Sequence, residues 1–348
     1  MKFNKEIVIE GRLISQHAST FVIAEAGVNH DGNIDVAKKL VDIAVRAGAD
    51  AVKFQTFKTE NLILRDIQKA GYQKKTTNAD ESQYDMLKRL EVTIEQNILL
   101  KQYCIDSGII FLTTPFDEES LDELDELDLP AYKIASTDAT NLPFLEKIAK
   151  KGKPIFLSTG MSYLSEVQSA LDVIYKHNKD VVLLQCTANY PIKDNEVNLA
   201  VIDTYKARFD ILVGYSDHSV NIGAAPFAIP MGAKVVEKHF TINKTNKGPD
   251  HAASLSPDEL IDFVKVVRRV DEYIGSSIKE PSPSEVDTRK SLQKYLVANC
   301  SIKKGDFFSV DNVIAKRTGG VGISPLYYTN VIGKRAGKDY RENEVIDY

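Results

Sequence analysis

The 348-residue chain has few cysteines, no excess of basic charge and no long apolar run, and each absence excludes a class of protein. Cys104, Cys186 and Cys300 lie far apart and form no CxxC pair, so neither a disulfide framework nor a thiolate metal site is expected. Lys and Arg number 44 against 49 Asp and Glu, a net charge of -5 with no basic run. Nucleic acid is therefore not an expected partner, and an anionic substrate has to be met by a few placed cations inside an acidic protein. Nowhere do about 18 apolar residues run together, so no membrane-spanning segment is expected. The opening residues MKFNKEIVIEGRLISQ scatter charge where an export leader would hold an apolar block, which gives the expectation of a cytoplasmic enzyme.

What is present is ample apolar material, 43% of residues, enough for a large core. Length alone fits two domains, or one α/β barrel of roughly 250 residues with an appendage. The pattern decides. From residue 21 to about 274, short β-rich runs alternate with amphipathic stretches such as DVAKKLVDIAVRAG and PDELIDFVKVVRRV. The runs are FVIAE (21–25), AVKFQ (51–55), IIFLT (109–113), AYKIA (131–135), PIFLS (154–158), VVLLQC (181–186), ILVGYS (211–216) and VVEKH (235–239). Eight βα units, with no GxGxxG after the first, predict a (β/α)8 TIM barrel rather than an open doubly wound sheet. Its catalytic groups then belong at the C-terminal ends of the strands.

Three domain assignments follow: a barrel over 1–275, a Ser- and Pro-rich linker over 276–288 (within GSSIKEPSPSEVDT), and a small domain over 289–348. The last, with short strands and Gly-containing turns at KKGD and TGGVG, has material for only a modest core and needs a docking surface. The long polar stretch after the second strand, TFKTENLILRDIQKAGYQKKTTNADESQYDML, exceeds an ordinary βα connection and is a candidate substrate cover.

His218 in GYSDHS and His239 in EKHFT fall at the ends of the seventh and eighth strands, 21 residues apart. Adjacent parallel strands lie about 4.8 Å apart, so two imidazoles at equal height can converge on one cation. Two nitrogen ligands, with water or substrate oxygen for the rest, suit a divalent metal such as Mn or Mg better than structural zinc. Lys53 and Lys133 each sit inside a strand, an unusual place for lysine unless it meets an anion or reaches solvent along the outer wall. With hydroxyls at Thr114, Ser136, Ser158 and Ser216, two ammonium groups suit a phosphate and a carboxylate on one small ligand. Glu25 and Asp138 are the acid/base candidates, whereas Glu237, on the same strand parity as His239, is placed to orient cations.

The series IAEAGVNHDG, VKFQTFK, TTPFD, KIAS, LSTGM, TANYP, GYSDHS, EKHFT and GPDHAAS, followed by KKGD and KRTGG, resembles the sialic acid synthase family from residue 21 onward. The resemblance implies a barrel joined to a C-terminal antifreeze-like (SAF) domain, and condensation of phosphoenolpyruvate with an N-acetylated hexose, releasing phosphate. It implies metal ligation by His218 and His239 and phosphoenolpyruvate binding by Lys53, Thr114, Lys133, Ser136, Ser158 and Ser216. Gln55, Asn78, Tyr190 and Asp250 would face the sugar. Arg317 would reach the N-acetyl group across a domain-swapped homodimer. This chain reads Ser136-Thr137-Asp138 where the family commonly has Ser-Gly-Glu, which shortens that carboxylate by one methylene.

The leading expectation is N-acetylneuraminate synthesis from N-acetylmannosamine. The competitor within the class is a legionaminate or related synthase acting on a 2,4-diacetamido sugar. Outside it stand a Schiff-base aldolase using Lys133, which would be metal-independent, and a noncatalytic sugar-binding protein, which would release no phosphate.

Overall fold

The computed structural model describes residues 1–69, 71, 73, 77 and 81–347, which divide into two compact units, Met1–Gly275 and Ser276–Tyr348. In the first, eight parallel strands form one sheet: β3 (Phe21–Gly27), β4 (Ala51–Thr56), β5 (Ile110–Pro115), β6 (Tyr132–Ile134), β7 (Ile155–Ser158), β8 (Val181–Cys186), β9 (Leu212–Asp217) and β10 (Ala233–His239). Their order is β5-β4-β3-β10-β9-β8-β7-β6, and β5 also lies beside β6, so the sheet rolls into a nearly closed (β/α)8 barrel.

Local chemistry sets the helices around it. In α1 (Ile34–Ala47) the Asn33 side chain caps the amides of Asp35 and Val36, and Gly48 ends the helix at φ 77°, a left-handed conformation that glycine adopts without strain. The last barrel helix, Pro257–Ile274, opens with a capping box between Ser256 and Glu259. Such caps fix where each βα loop ends, and hence where the strand-end side chains stand.

Strand alternation sorts the side chains into two populations. Val22, Val52, Leu157, Val213 and Val236 pack outward in the large core shared with the helices. Phe21, Ile23, Ala51, Leu112, Ala131, Phe156, Val182, Leu184, Leu212 and Val235 point inward and fill the lower barrel. That end is stoppered by an antiparallel hairpin, β1 (Glu6–Ile9) and β2 (Arg12–Ser15), whose Ile7, Ile9 and Ile14 join the inner core. The sequence reading gave this segment no structure, because its strands are only four residues each and are bordered by Glu6, Glu10 and Arg12, too short to display a period-2 pattern.

The connection after β4 includes short helices at Thr59–Leu62 and Gln83–Lys88, and Phe57 and Leu90 from it pack with Val28 in a small core of their own. In the unit Ser276–Tyr348, a helix spans Glu285–Leu292, so the segment read as linker is helical where it ends. An antiparallel pair, β11 (Lys294–Ala298) and β12 (Val313–Arg317), packs with Ile302, Phe308, Val331, Tyr340 and Ile346. Gly322, at φ +114°, lets that chain pass where a Cβ would stand 2.4 Å from Val345. Among the described residues no helix is long and apolar enough to cross a membrane.

Candidate active site

Two residues beyond the inner apolar ring, the same inward parity turns ionic. Glu25 stands on the inward face of β3, Lys53 on that of β4, Lys133 on that of β6 and Glu237 on that of β10, and all four are buried. Neither lysine reaches the outer wall. Lys53 Nζ lies 2.7 Å from Glu25 Oε2 and 3.6 Å from Glu237 Oε2, and donates to Thr114 Oγ1 at 3.0 Å. Lys133 Nζ donates to Glu237 Oε1 at 3.0 Å, where Ser216 Oγ also donates at 2.9 Å. Glu237 is thus the common counter-ion of both ammonium groups. The cluster persists in this buried place because each charge is paired; desolvating one alone would cost several kcal/mol.

Its members titrate apart. Burial pushes the Glu25 carboxyl up to about 7, against the pull of Lys53 and with the push of Glu237. Burial also works against ionised Glu237, but Lys133 and Lys53 outweigh it and hold that carboxyl far below the usual range. Burial likewise opposes the Lys53 ammonium, and the charges of Glu237 and Glu25 push its pKa up in spite of it. Two carboxylates in one cage, one held ionised and one poised near neutrality, have the chemistry for an anchor and for a proton carrier respectively.

Hydroxyls stand at the same strand ends. Ser158 Oγ, at the inward end of β7, is buried without a hydrogen-bond partner. Ser136 Oγ accepts from the Gly160 amide at 2.9 Å; a Cβ on Gly160 would stand 2.9 Å from that oxygen, so the glycine permits the approach.

The imidazoles of His218 and His239 face each other with ring centres 5.4 Å apart, and Tyr190 packs on both, at 4.0 and 5.5 Å. His218 Nδ1 lies 2.8 Å from the Thr187 carbonyl oxygen. A carbonyl only accepts, so Nδ1 carries a proton toward it and Nε2 is the ring nitrogen left to meet a ligand. His239 Nδ1 is buried with no hydrogen-bond partner, 3.8 Å from Asp250 Oδ2. Burial, followed by the neighbouring His218, holds the His239 pKa well below its ordinary value and keeps the ring neutral, as a ligand must be. The pair fits a divalent cation that takes its remaining ligands from water or substrate. Among the described residues no cluster of three or more His, Cys, Asp or Glu suits a metal.

The other predicted residues divide. Gln55 Nε2 donates to Glu25 Oε1 at 3.0 Å, and a Cβ on Gly27 would touch Gln55, Glu25 and Asp250, which places those three around one point. Asp138 is buried, with its pKa raised by that burial, but its hydrogen bonds stay within its own turn, to Asn141 at 3.2 Å and Thr137 at 3.3 Å. Asn78 lies outside the described residues. Arg317 ends β12 in the second unit and is exposed. Sequence reasoning passed over Cys186, the inward residue at the end of β8, whose Sγ is 3.8 Å from His218 Nδ1. Its parity with Leu184 was the available signal.

The NeuB family model matches residues 40–279. The chain is 46% identical to the N,N'-diacetyllegionaminic acid synthase of Campylobacter jejuni, over 94% of this chain and 98% of that protein. It is 36% identical to the human N-acetylneuraminate-9-phosphate synthase, over 97% and 94%. A crystal structure of the N-acetylneuraminic acid synthetase of Leptospira borgpetersenii superposes with a TM-score of 0.73 at 32% identity, covering 84% of this chain and 98% of that one. The chain belongs to the NeuB family and is an enzyme, a nonulosonate synthase of the kind that condenses phosphoenolpyruvate with a sugar.

Proposed function

We propose that this enzyme joins phosphoenolpyruvate to a 2,4-diacetamido-6-deoxymannose, forming N,N'-diacetyllegionaminate and inorganic phosphate. The reaction reading rests on one observation above the others: two buried ammonium groups, Lys53 and Lys133, share Glu237 as a common counter-ion inside the barrel mouth, with the hydroxyls of Thr114 and Ser216 bonded into the same cluster. An incoming phosphate and carboxylate find compensating charge and donors there. The choice of sugar departs from the N-acetylmannosamine expected from sequence motifs. It is supported by the higher identity to the legionaminic acid synthase, 46% against 36% for the human sialic acid enzyme over similar spans.

In this reading Lys53, Lys133, Thr114, Ser136, Ser158 and Ser216 hold the phosphate and carboxylate of phosphoenolpyruvate. Gln55, Asn78, Tyr190 and Asp250 orient the sugar in its open-chain form. A divalent cation on His218 and His239, Mn or Mg by ligand type, would supply polarisation of the sugar aldehyde. The methylene carbon of phosphoenolpyruvate forms the new bond to the aldehyde carbon, and the phosphate-bearing carbon becomes electron-poor. Water adds at that carbon and the tetrahedral adduct loses phosphate, leaving a ketone.

Glu25, with its pKa near neutrality, gives a proton to the new alkoxide and takes one from the adding water. Lys53 and Lys133 hold the departing phosphate. Asp138 is the second acid/base candidate. The residues over 289–348 form the antifreeze-like domain behind a linker at 276–288, and Arg317 contacts the acetamido group of a partner subunit's substrate in a swapped homodimer. A cytoplasmic location suits a phosphoenolpyruvate consumer.

Phosphate release from phosphoenolpyruvate with each sugar, with and without chelator, tests the proposal. Turnover should favour the diacetamido sugar, stop with chelator and return with Mn(II). Preference for N-acetylmannosamine would restore the sialic acid reading. Release that survives chelation would remove the cation.

A further inference from the structure

The residues directly before the two histidines are Asp217 and Lys238, and the β9–β10 register sets them opposite each other. By alternation they point out of the barrel while His218 and His239 point in. On that outer side Lys238 Nζ lies 3.0 Å from Asp217 Oδ2, with both residues only 1% exposed. Lys238 also donates to the Ser219 carbonyl at 2.6 Å. Asp217 Oδ1 accepts from the Ser219 amide at 2.8 Å, and Oδ2 from the amides of Ala224 and Ala225 at 3.1 and 3.0 Å. Gly223, at φ +67°, closes the cage, since a Cβ there would stand 2.6 Å from Lys238 Nζ and 2.7 Å from Asp217 Oδ2.

A buried ion pair is a poor device for stability alone, because apolar groups of similar volume serve packing as well or better. What it does supply is register. Register is at issue here: the β9–β10 ladder slips between Ala233 and Val236, so the lower part of the ladder does not dictate the height of the upper part.

We propose that the Asp217–Lys238 pair is a positioning clasp that locks β9 to β10 where His218 and His239 leave them, presetting the imidazole pair for its cation. The proposal rests on the cation reading above and extends it to two residues that touch neither metal nor substrate.

The test uses the full chain and measures Mn(II) affinity from the EPR signal of free Mn(II). Phosphoenolpyruvate affinity without metal and thermal stability are measured alongside. Lys238→Met should weaken Mn(II) binding about tenfold to a hundredfold, as loss of a ligand-orienting partner does, with phosphoenolpyruvate affinity unchanged. The double variant Asp217→Asn/Lys238→Met leaves no uncompensated charge and keeps a side-chain acceptor for the Ser219, Ala224 and Ala225 amides, so it should regain thermal stability yet keep the weakened Mn(II) affinity. Lys238→Arg should recover most of it. A double variant that binds Mn(II) like the wild type would reduce the pair to packing and overturn the clasp alone. Equal losses of Mn(II) and phosphoenolpyruvate affinity would do so too, by revealing general loosening. A wild-type chain that leaves Mn(II) free would overturn the cation reading and the clasp with it.

Discussion

The lower and upper halves of the barrel interior use the same strands and the same inward parity, yet they are chemically opposite. Ile23, Ala51, Leu112, Ala131, Phe156, Leu184 and Val235 form the lower layer. Two residues farther along each strand stand Glu25, Lys53, Thr114, Lys133, Ser158, Cys186 and Glu237. About 6.6 Å of strand separates a dry hydrocarbon plug from a cage of four ionisable groups. The lower layer is stable without a ligand, because its burial is its own reward in apolar area. The upper layer is tolerated only through mutual pairing and is partly unsatisfied, as the unpartnered Ser158 hydroxyl attests. Binding capacity resides where folding is least satisfied.

The largest expected effect comes from the upper layer. Lys53→Met strips the ammonium from between Glu25 and Glu237, and phosphate release should fall on the order of 10^3-fold in steady-state assay, the scale for one preorganised charge-stabilising group. A fall under tenfold would remove Lys53 from the reacting anion.

Next, Glu237→Gln leaves two buried lysines without their shared counter-ion and should lower urea-denaturation stability by about 3–5 kcal/mol. Phosphoenolpyruvate should restore part of that loss. Phe156→Ala in the lower layer should cost a similar 3–5 kcal/mol, roughly, through the cavity it leaves. Phosphoenolpyruvate should not repair that defect beyond the increment it gives the wild type. If the ligand rescued both variants equally, the contrast between the layers would fail.

A smaller effect concerns pH. Between the ordinary Glu value of 4.5 and about 7, folded Glu25 keeps a proton that the unfolded chain has released. Its contribution to stability is therefore present at low pH and lost as pH rises through about 7. Glu25→Gln should flatten that part of the stability profile and abolish the limb of kcat/KM governed by the same group. A wild-type profile with no inflection there would count against a poised Glu25. Smallest of all, Asp138→Asn should lower turnover less than Glu25→Gln does, since the Asp138 hydrogen bonds serve its own turn. The reverse order would transfer the base role to Asp138.

Much of the fold was legible because it is written in short-range patterns. The eight runs from FVIAE to VVEKH are strands in the structure, and the helix limits follow from residues such as Asn33 and Ser256. The β1–β2 hairpin was not legible, because its three buried isoleucines sit in two four-residue strands bordered by charges and acquire a role only from an open barrel floor. At the site, residue types and strand ends were readable, but the partners were not. Nothing local in the chain reveals that Glu237 serves both Lys53 and Lys133.

The sequence by itself determined the βα repeat, the strands that carry Lys53 and Lys133, the strand ends at which His218 and His239 stand, and the family to which the motifs belong. Those are properties of spacing and parity, carried by the backbone within a few residues. Only the tertiary structure decided which charges meet, which carboxyl is held ionised and which is poised, and how β9 and β10 are set in height. Closing a sheet brings groups far apart in the chain to within 3 Å of one another, as with Lys133 and Glu237, and at that range electrostatics depends on neighbours the linear pattern does not name.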